Sequence, residues 1–244
     1  VLGVSVKDSP EILLPPTMSR GVLLGNIIRN GKVTNLQYYL PLNTFKKHIG
    51  IFGATGYGKT NTCYNLLIQL YKKYGIPFIV IAPVKREYRS LMLVIPETKV
   101  FTVGNENVAP FRLNPFEVPE NVHVQSHIDA LKAAFNAAFI LYAPMPYVLE
   151  QCIVNVYRKK GWDLLTGKRG MMPTLDDLYK EIDEYTERLG YDSELTNNIR
   201  AALKTRLGSL MLGSKGTMFR TKYSIPVDYL LKNPTIIELS LIHI

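Results

Sequence analysis

The nine residues "GATGYGKTN" at 53–61 constrain this chain more than any other stretch. Gly53, four intervening residues, then Gly58, Lys59 and Thr60 complete the phosphate-binding pattern GxxxxGK[ST]. A phosphate chain needs several backbone N–H groups pointing into one concave loop, and glycine-rich turns allow that conformation. A helix that begins at the end of such a loop aims its positive dipole end at the same anion. In this pattern the Lys59 ammonium bridges the outer phosphates and the Thr60 hydroxyl holds Mg²⁺. The candidate nucleotide-binding residues are therefore Gly53, Ala54, Thr55, Gly56, Tyr57, Gly58, Lys59, Thr60 and Asn61, with ATP and Mg²⁺ as the implied ligands. By average composition such a match arises by chance in a chain of this length roughly once in a hundred. A dinucleotide-binding reading fails, because the GxGxxG spacing is absent.

The flanks decide whether the loop sits in the right context. "HIGIF" (48–52) is a short apolar run before the turn and reads as a buried strand. Residues 59–74 place Leu66, Leu67, Leu70 and Tyr71 at helical spacing, with Lys72 and Lys73 at the C-terminus and Gly75 as the stop. "FIVIA" (78–82) and "KVFTV" (99–103) read as further buried strands, and "PTIIELS" (234–240) as a return to strand. Strand, turn, helix and strand in that order predict an α/β fold with a mostly parallel sheet and right-handed crossovers. Between these strands the chain turns helical, over 125–142, 147–159, 174–190 and 193–212. The third of these starts on Thr174 with Asp177 three residues later, a capping-box pattern.

Composition narrows the class. The chain has 244 residues, of which 47% are hydrophobic, and its mean hydropathy is near zero, as in globular domains. No apolar window is long enough to span a membrane, and the opening residues have no signal-peptide pattern. The two cysteines, Cys63 and Cys152, fall in predicted helices and fit a reducing, cytoplasmic setting. The net charge of +9 is compatible with a polyanionic partner but does not require one. His123 and His127 have the spacing of two ligands on one helix face. They lack a Glu between them at the second position and a third ligand, which favours a solvated pair. The charge-rich "VKREYR" (84–89) follows a strand end, where parallel sheets bind ligands. Arg200, Lys204 and Arg206 recur along one helix, either as a solvated face or as groups that reach a neighbour's phosphate or DNA.

Taken together, "HIGIFGATGYGKTN", "FIVIAPVKREYRSL", "FRLNPFE", "LEQCIVNVYRKKGWDL", "NIRAALKTRLGSLMLGSKGTMF" and "PTIIELS" resemble the prokaryotic HerA-type ATP-binding proteins, over roughly residues 20–240. That family shares its motor domain with FtsK translocases and conjugative-transfer ATPases. The resemblance implies a RecA-like P-loop NTPase core, ATP with Mg²⁺, and a hexameric ring that moves or unwinds double-stranded DNA, with a partner nuclease left open. It also implies an all-helical insertion at 120–215, between a P-loop half (1–119) and a return to the core sheet (216–244). Glu87, in "REY", matches the family's acidic position in its loop, so the resemblance assigns metal or water contacts to it beside Lys59.

The chain departs from the family pattern in three places. Ala82 stands where an acidic residue usually precedes Pro83. The paired acidic strand that follows "IIELS" in the family is not reached, and Glu238 belongs to the earlier strand. "LIHI" replaces the family's Gly- and Asp-rich turn. We therefore expect a catalytically incomplete fragment, with "SLIHI" as a non-native terminus and 235–239 as a poorly protected sheet edge. A regulatory nucleotide-binding module and a P-loop kinase or transferase remain alternatives to a DNA translocase.

Overall fold

The computed structural model describes residues 20–83, 86–107 and 109–239. The "SLIHI" terminus and Val84 and Lys85 lie outside these residues. In chain order the elements are β1 (Val22–Arg29), β2 (Lys32–Leu40), a 3₁₀ turn (Leu42–Lys46), α1 (Lys59–Tyr74) and β3 (Ile79–Ala82). A second 3₁₀ segment (Glu87–Leu93) precedes β4 (Lys99–Thr102). Then come α2 (Val124–Ala138), α3 (Met145–Lys159), α4 (Leu175–Glu187), α5 (Ser193–Met211), α6 (Gly213–Phe219), α7 (Val227–Lys232) and β5 (Thr235–Glu238). The chain divides into two compact units. The first holds the residues up to Val80, Glu87–Lys99 and Leu231–Ile236; the second holds Ile81–Arg86, Val100–Leu230 and the residues from Ile237 onward.

In the first unit β1 and β2 form an antiparallel hairpin. Its two-residue tip is Asn30-Gly31, both at positive φ (50° and 73°), the conformation that a tight hairpin turn of this twist demands. The sequence reading did not include this hairpin, although "RNGK" carries its turn signal. α1 packs on it. Leu66 and Leu70 bury against Val22, with Leu42, Phe45, Ile51 and Tyr74 around them. Gln69 accepts from the Leu23 N–H at 2.9 Å, and the amides of Gln69 and Asn65 donate to the Leu23 carbonyl at 2.9 and 2.8 Å. Gly75, at φ 63°, ends the helix by returning its N–H to Leu70 and Tyr71. α1 also faces β3: Leu67 and Leu70 line a cavity with Ile79 and Val80, and the Tyr71 ring meets Phe78 edge to face.

The run 48–52 is not a strand. An apolar run forms a strand only where a neighbour offers free backbone groups, and among the described residues this run, interrupted by Gly50, has no such partner. Ile49 and Ile51 line an apolar cavity of about 330 Å³ with Leu67 and Leu70 of α1, and Phe52 is 93% exposed.

The other three predicted strands do pair, in the order β3-β5-β4. The Thr235 and Leu239 N–H groups donate to Phe78 and Ala82, and the Lys99 and Val103 N–H groups donate to Pro234 and Glu238. The donors and acceptors advance together, so both pairings are parallel. This corrects the expectation of an unprotected edge at 235–239: β5 lies between two strands, and all four of its residues are buried. A strand that comes last in sequence need not come last in the sheet, because a parallel crossover can insert it between earlier strands.

The second unit is built on a helical core, and α2–α5 all fall within 120–215. Ile128, Leu149, Ile153, Leu178, Ile182 and Leu203 are essentially inaccessible there. Tyr157 is fully buried and donates to the Phe116 carbonyl at 2.7 Å, so its one polar atom is satisfied. Thr174 and Asp177 form the predicted capping box at the start of α4. Arg200 and Lys204 of α5 pair with Asp183 of α4, and Arg206 donates to the Ile140 and Ala202 carbonyls. All three cations are engaged within their own unit, Arg200 and Lys204 with α4 and Arg206 with its own helix and the residue two beyond the end of α2. Cys63 and Cys152 are both free thiols. Burial pushes the Cys152 thiol up to about 12.

Candidate functional site

The residues 53–61 form the loop that leads into α1. Gly56 and Gly58 have φ of 86° and 81°, and a Cβ at either would meet open space. Glycine is needed there for its backbone conformation and not for room. The N-cap of α1 is Gly58, which has no side chain to satisfy the first-turn N–H groups. Those of Lys59, Thr60 and Asn61 have no intrahelical acceptor and point out of the helix start, as an anion site requires.

The Lys59 ammonium crosses the loop and donates to the carbonyls of Gly53 and Ala54 at 2.7 and 2.8 Å. Two neutral carbonyls hold a cation less strongly than ionised oxygens do, so this hold is exchangeable for a phosphate. Thr60 follows, and its hydroxyl donates to Glu87 Oε1 at 3.1 Å. The structure therefore brings together the P-loop threonine and the one loop carboxylate that the sequence singled out.

Glu87 is held at its other end as well. Tyr64 sits one helical turn beyond Thr60 on the same face of α1, and its phenol donates to the Glu87 carbonyl at 2.5 Å. The Ser90 hydroxyl, 2.8 Å from that carbonyl and 3.0 Å from the Tyr64 oxygen, closes the triangle. The Tyr64 ring meets Tyr88 edge to face, with centroids 5.3 Å apart. Burial raises the Tyr88 phenol well above its ordinary range, and the adjacent Cys63 thiol and the Glu87 charge add to this. One face of α1 thus grips both ends of one acidic residue. Sequence reasoning found Thr60 and Glu87 but missed Tyr64 and Ser90. The available signal was the four-residue step from Thr60 to Tyr64.

These residues fit a magnesium nucleotide. The Thr60 hydroxyl can offer a lone pair to a cation while it goes on donating its hydrogen bond to Glu87, and both are the hard oxygen groups that Mg²⁺ prefers. Mg²⁺ is usually bound by one or two protein oxygens together with substrate phosphates, so no larger cage is needed. Among the described residues there is no group of three or more His, Cys, Asp or Glu placed to hold a metal.

The other candidates have structural roles. His123 caps α2 by accepting from the Gln125 N–H at 3.2 Å. His127 is half-buried, 3.0 Å from the Pro115 carbonyl and against the Tyr157 ring. Burial lowers its pKa, and the contact with the Pro115 carbonyl opposes this. His123 is exposed, as expected of a solvated residue at a helix start, whereas His127 is turned into its own unit. Glu238 is buried on β5, accepts from the Thr102 hydroxyl at 3.1 Å and lies 3.9 Å from Arg86.

A family model described as the central domain of the helicase HerA (DUF87) matches residues 22–244. No curated protein matches the chain. Among solved structures, that of VirB4 of Thermoanaerobacter pseudethanolicus is similar, with a TM-score of 0.55 and 20% identity, over 76% of this chain and 67% of that one. At that identity the likeness shows the fold, which is α/β of the RecA-like P-loop type. Among the described residues no helix is long and apolar enough to cross a membrane.

Proposed function

The chain belongs to the family of HerA helicase central domains, and on that premise we propose that it is the ATP-binding motor domain of a DNA translocase or helicase. The observation that carries the proposal is the hydrogen bond from Thr60 to Glu87 beside a complete phosphate loop. The N–H groups of 56–61 and the Lys59 ammonium bind the phosphates. Thr60 contributes an oxygen to Mg²⁺, which when bound neutralises phosphate charge. Glu87 accepts the Thr60 hydrogen bond and so fixes the direction of that oxygen's lone pair, the part that outer-shell carboxylates play around metal ligands. Tyr64 and Ser90 hold Glu87 in register with the helix.

In this reading the domain works in the cytoplasm as one subunit of a hexameric ring, and its ATP turnover drives movement of double-stranded DNA. The test is ATP turnover by the full-length protein with and without duplex DNA, alongside Lys59→Ala. DNA-stimulated turnover that Lys59→Ala abolishes supports a motor. DNA-independent phosphoryl transfer to a small acceptor would support a kinase, and ATP binding without steady turnover a regulatory module.

A further inference from the structure

Among the described residues the net positive charge of this chain falls on one of its two units. Residues 12–86 contain no Asp or Glu. Among the described residues the first unit holds eleven lysines and arginines against two carboxylates, Glu87 and Glu97, whereas the second holds sixteen of each. Among the described residues the surplus of nine therefore sits on the unit that carries the phosphate loop. The basic residues of α5 that the sequence offered as DNA contacts are already engaged within their own neutral unit.

We propose that the β1–β2 hairpin and the adjoining Lys46-Lys47 segment form a docking surface for the sugar-phosphate backbone of duplex nucleic acid. This rests on the DNA reading given above and assigns it a surface. Arg29 and Lys32 lie directly opposite each other across the hairpin tip, both exposed. Like charges in that register repel unless an anion lies between or beside them. At the base of the hairpin, Lys73 reaches the Gly21 carbonyl at 3.4 Å and lies over the Tyr39 and Tyr74 rings, with Arg20 and Lys72 exposed nearby in the chain. Phe45, which precedes Lys46 and Lys47, is anchored in the core beneath α1, so those two exposed lysines are carried on fixed backbone.

None of Arg29, Lys32, Lys46, Lys47, Lys72 or Lys73 makes an ion pair among the described residues. The tip and the base are seven strand residues apart, roughly 23 Å at about 3.3 Å per residue. That matches about seven base-pair steps of 3.4 Å along a duplex axis. Between the two clusters the hairpin exposes the amides of Asn26, Asn35 and Gln37, which donate to phosphate and sugar oxygens. A cationic ribbon with amide donors between its charged ends fits a regular polyanion of fixed repeat.

The experiment is fluorescence anisotropy of a labelled 30-base-pair duplex with the full protein, without nucleotide, across 50–200 mM salt. Arg29→Ala/Lys32→Ala and Lys46→Ala/Lys47→Ala should each lower the slope of log Kd against log salt by about two. The fourfold rise in salt then weakens binding about tenfold less than in the wild type. Lys180→Ala/Lys215→Ala, exposed on the neutral unit, should leave the slope unchanged. Binding of a fluorescent ATP analogue by the same samples reports that each variant is folded. Unchanged slopes in both hairpin-side variants, or an equal loss in the control, would overturn the assignment of the surface while leaving DNA binding intact. Wild-type protein that binds phosphatidylserine vesicles but no duplex at 50 mM salt would overturn both the surface and the DNA reading. The ATP-analogue signal then shows separately whether the phosphate loop stands.

Discussion

The hydroxyl of Thr60 lies 3.1 Å from the carboxylate of Glu87 and donates to it, joining the first turn of α1 to a segment 27 residues further along the chain. That single contact connects the phosphate loop to a candidate metal-directing carboxylate. Glu87→Gln keeps an acceptor for Thr60 but removes the charge. We expect about a 10- to 100-fold loss of Mg²⁺-dependent nucleotide affinity or turnover, the range seen when outer-shell partners of metal ligands are changed. Binding of a fluorescent ATP analogue titrated with Mg²⁺ measures it. An unchanged Mg²⁺ requirement would remove Glu87 from the site.

Lys59→Ala tests the loop itself. The lysine contacts only the Gly53 and Ala54 carbonyls and is part of no apolar cluster, so its removal leaves the fold standing. Loss of one charge-assisted contact to phosphate is worth about 1.5–3 kcal/mol, or roughly 10- to 150-fold in nucleotide affinity. Circular dichroism should match the wild type while nucleotide binding falls below detection at micromolar ligand. Undiminished affinity in a folded variant would sink the phosphate-loop assignment.

Tyr64→Phe separates positioning from packing. The ring stays against Tyr88, and only the phenol's hydrogen bonds, to the Glu87 carbonyl and from the Ser90 hydroxyl, are lost. Stability should fall by about 1 kcal/mol. The Mg²⁺ needed for half-maximal nucleotide binding should rise, with Mg²⁺-free affinity unchanged. If both affinities fall together, Tyr64 is a packing residue and not a positioning one.

The order in which these features became legible follows from the range of the forces involved. α1 was readable residue by residue, because its apolar spacing, terminal lysines and Gly75 are local signals. Thr174 and Asp177 announced a helix start for the same reason. The run 48–52 looked like a strand from its apolar content, but strand formation depends on a partner edge that no local pattern reports. The place of β5 between β3 and β4 was likewise invisible, since a crossover strand's neighbours are set by topology. The Asn30-Gly31 tip was legible and was passed over. Glu87 was reached through family resemblance; nothing in its own neighbourhood says that Thr60 would meet it. The absence of Asp and Glu from residues 12–86 could be counted in the sequence, but which of those cations share a unit could not, since the boundary at Val80 and the return of 87–99 and 231–236 are set by the fold.

The second unit carries a pH prediction. Burial depresses the pKa of His127, which faces the Pro115 carbonyl and the Tyr157 ring. The unfolded chain therefore binds a proton more readily than the folded one. The stabilisation from His127 is present in full above the unfolded value near 6.5 and is lost as pH falls below it toward the folded value. Thermal unfolding midpoints should decline from pH 7 to pH 5, and His127→Gln should flatten that decline. A decline of equal steepness in the variant would assign the effect to other groups.

The most direct test of the central claim is the steady-state ATPase rate of the full-length protein, with and without duplex DNA, for the wild type and for Lys59→Ala and Glu87→Gln side by side. The account predicts turnover that duplex DNA stimulates in the wild type, none in Lys59→Ala, and at least about a tenfold reduction in Glu87→Gln. A rate indifferent to DNA, or one that survives Lys59→Ala, would contradict it.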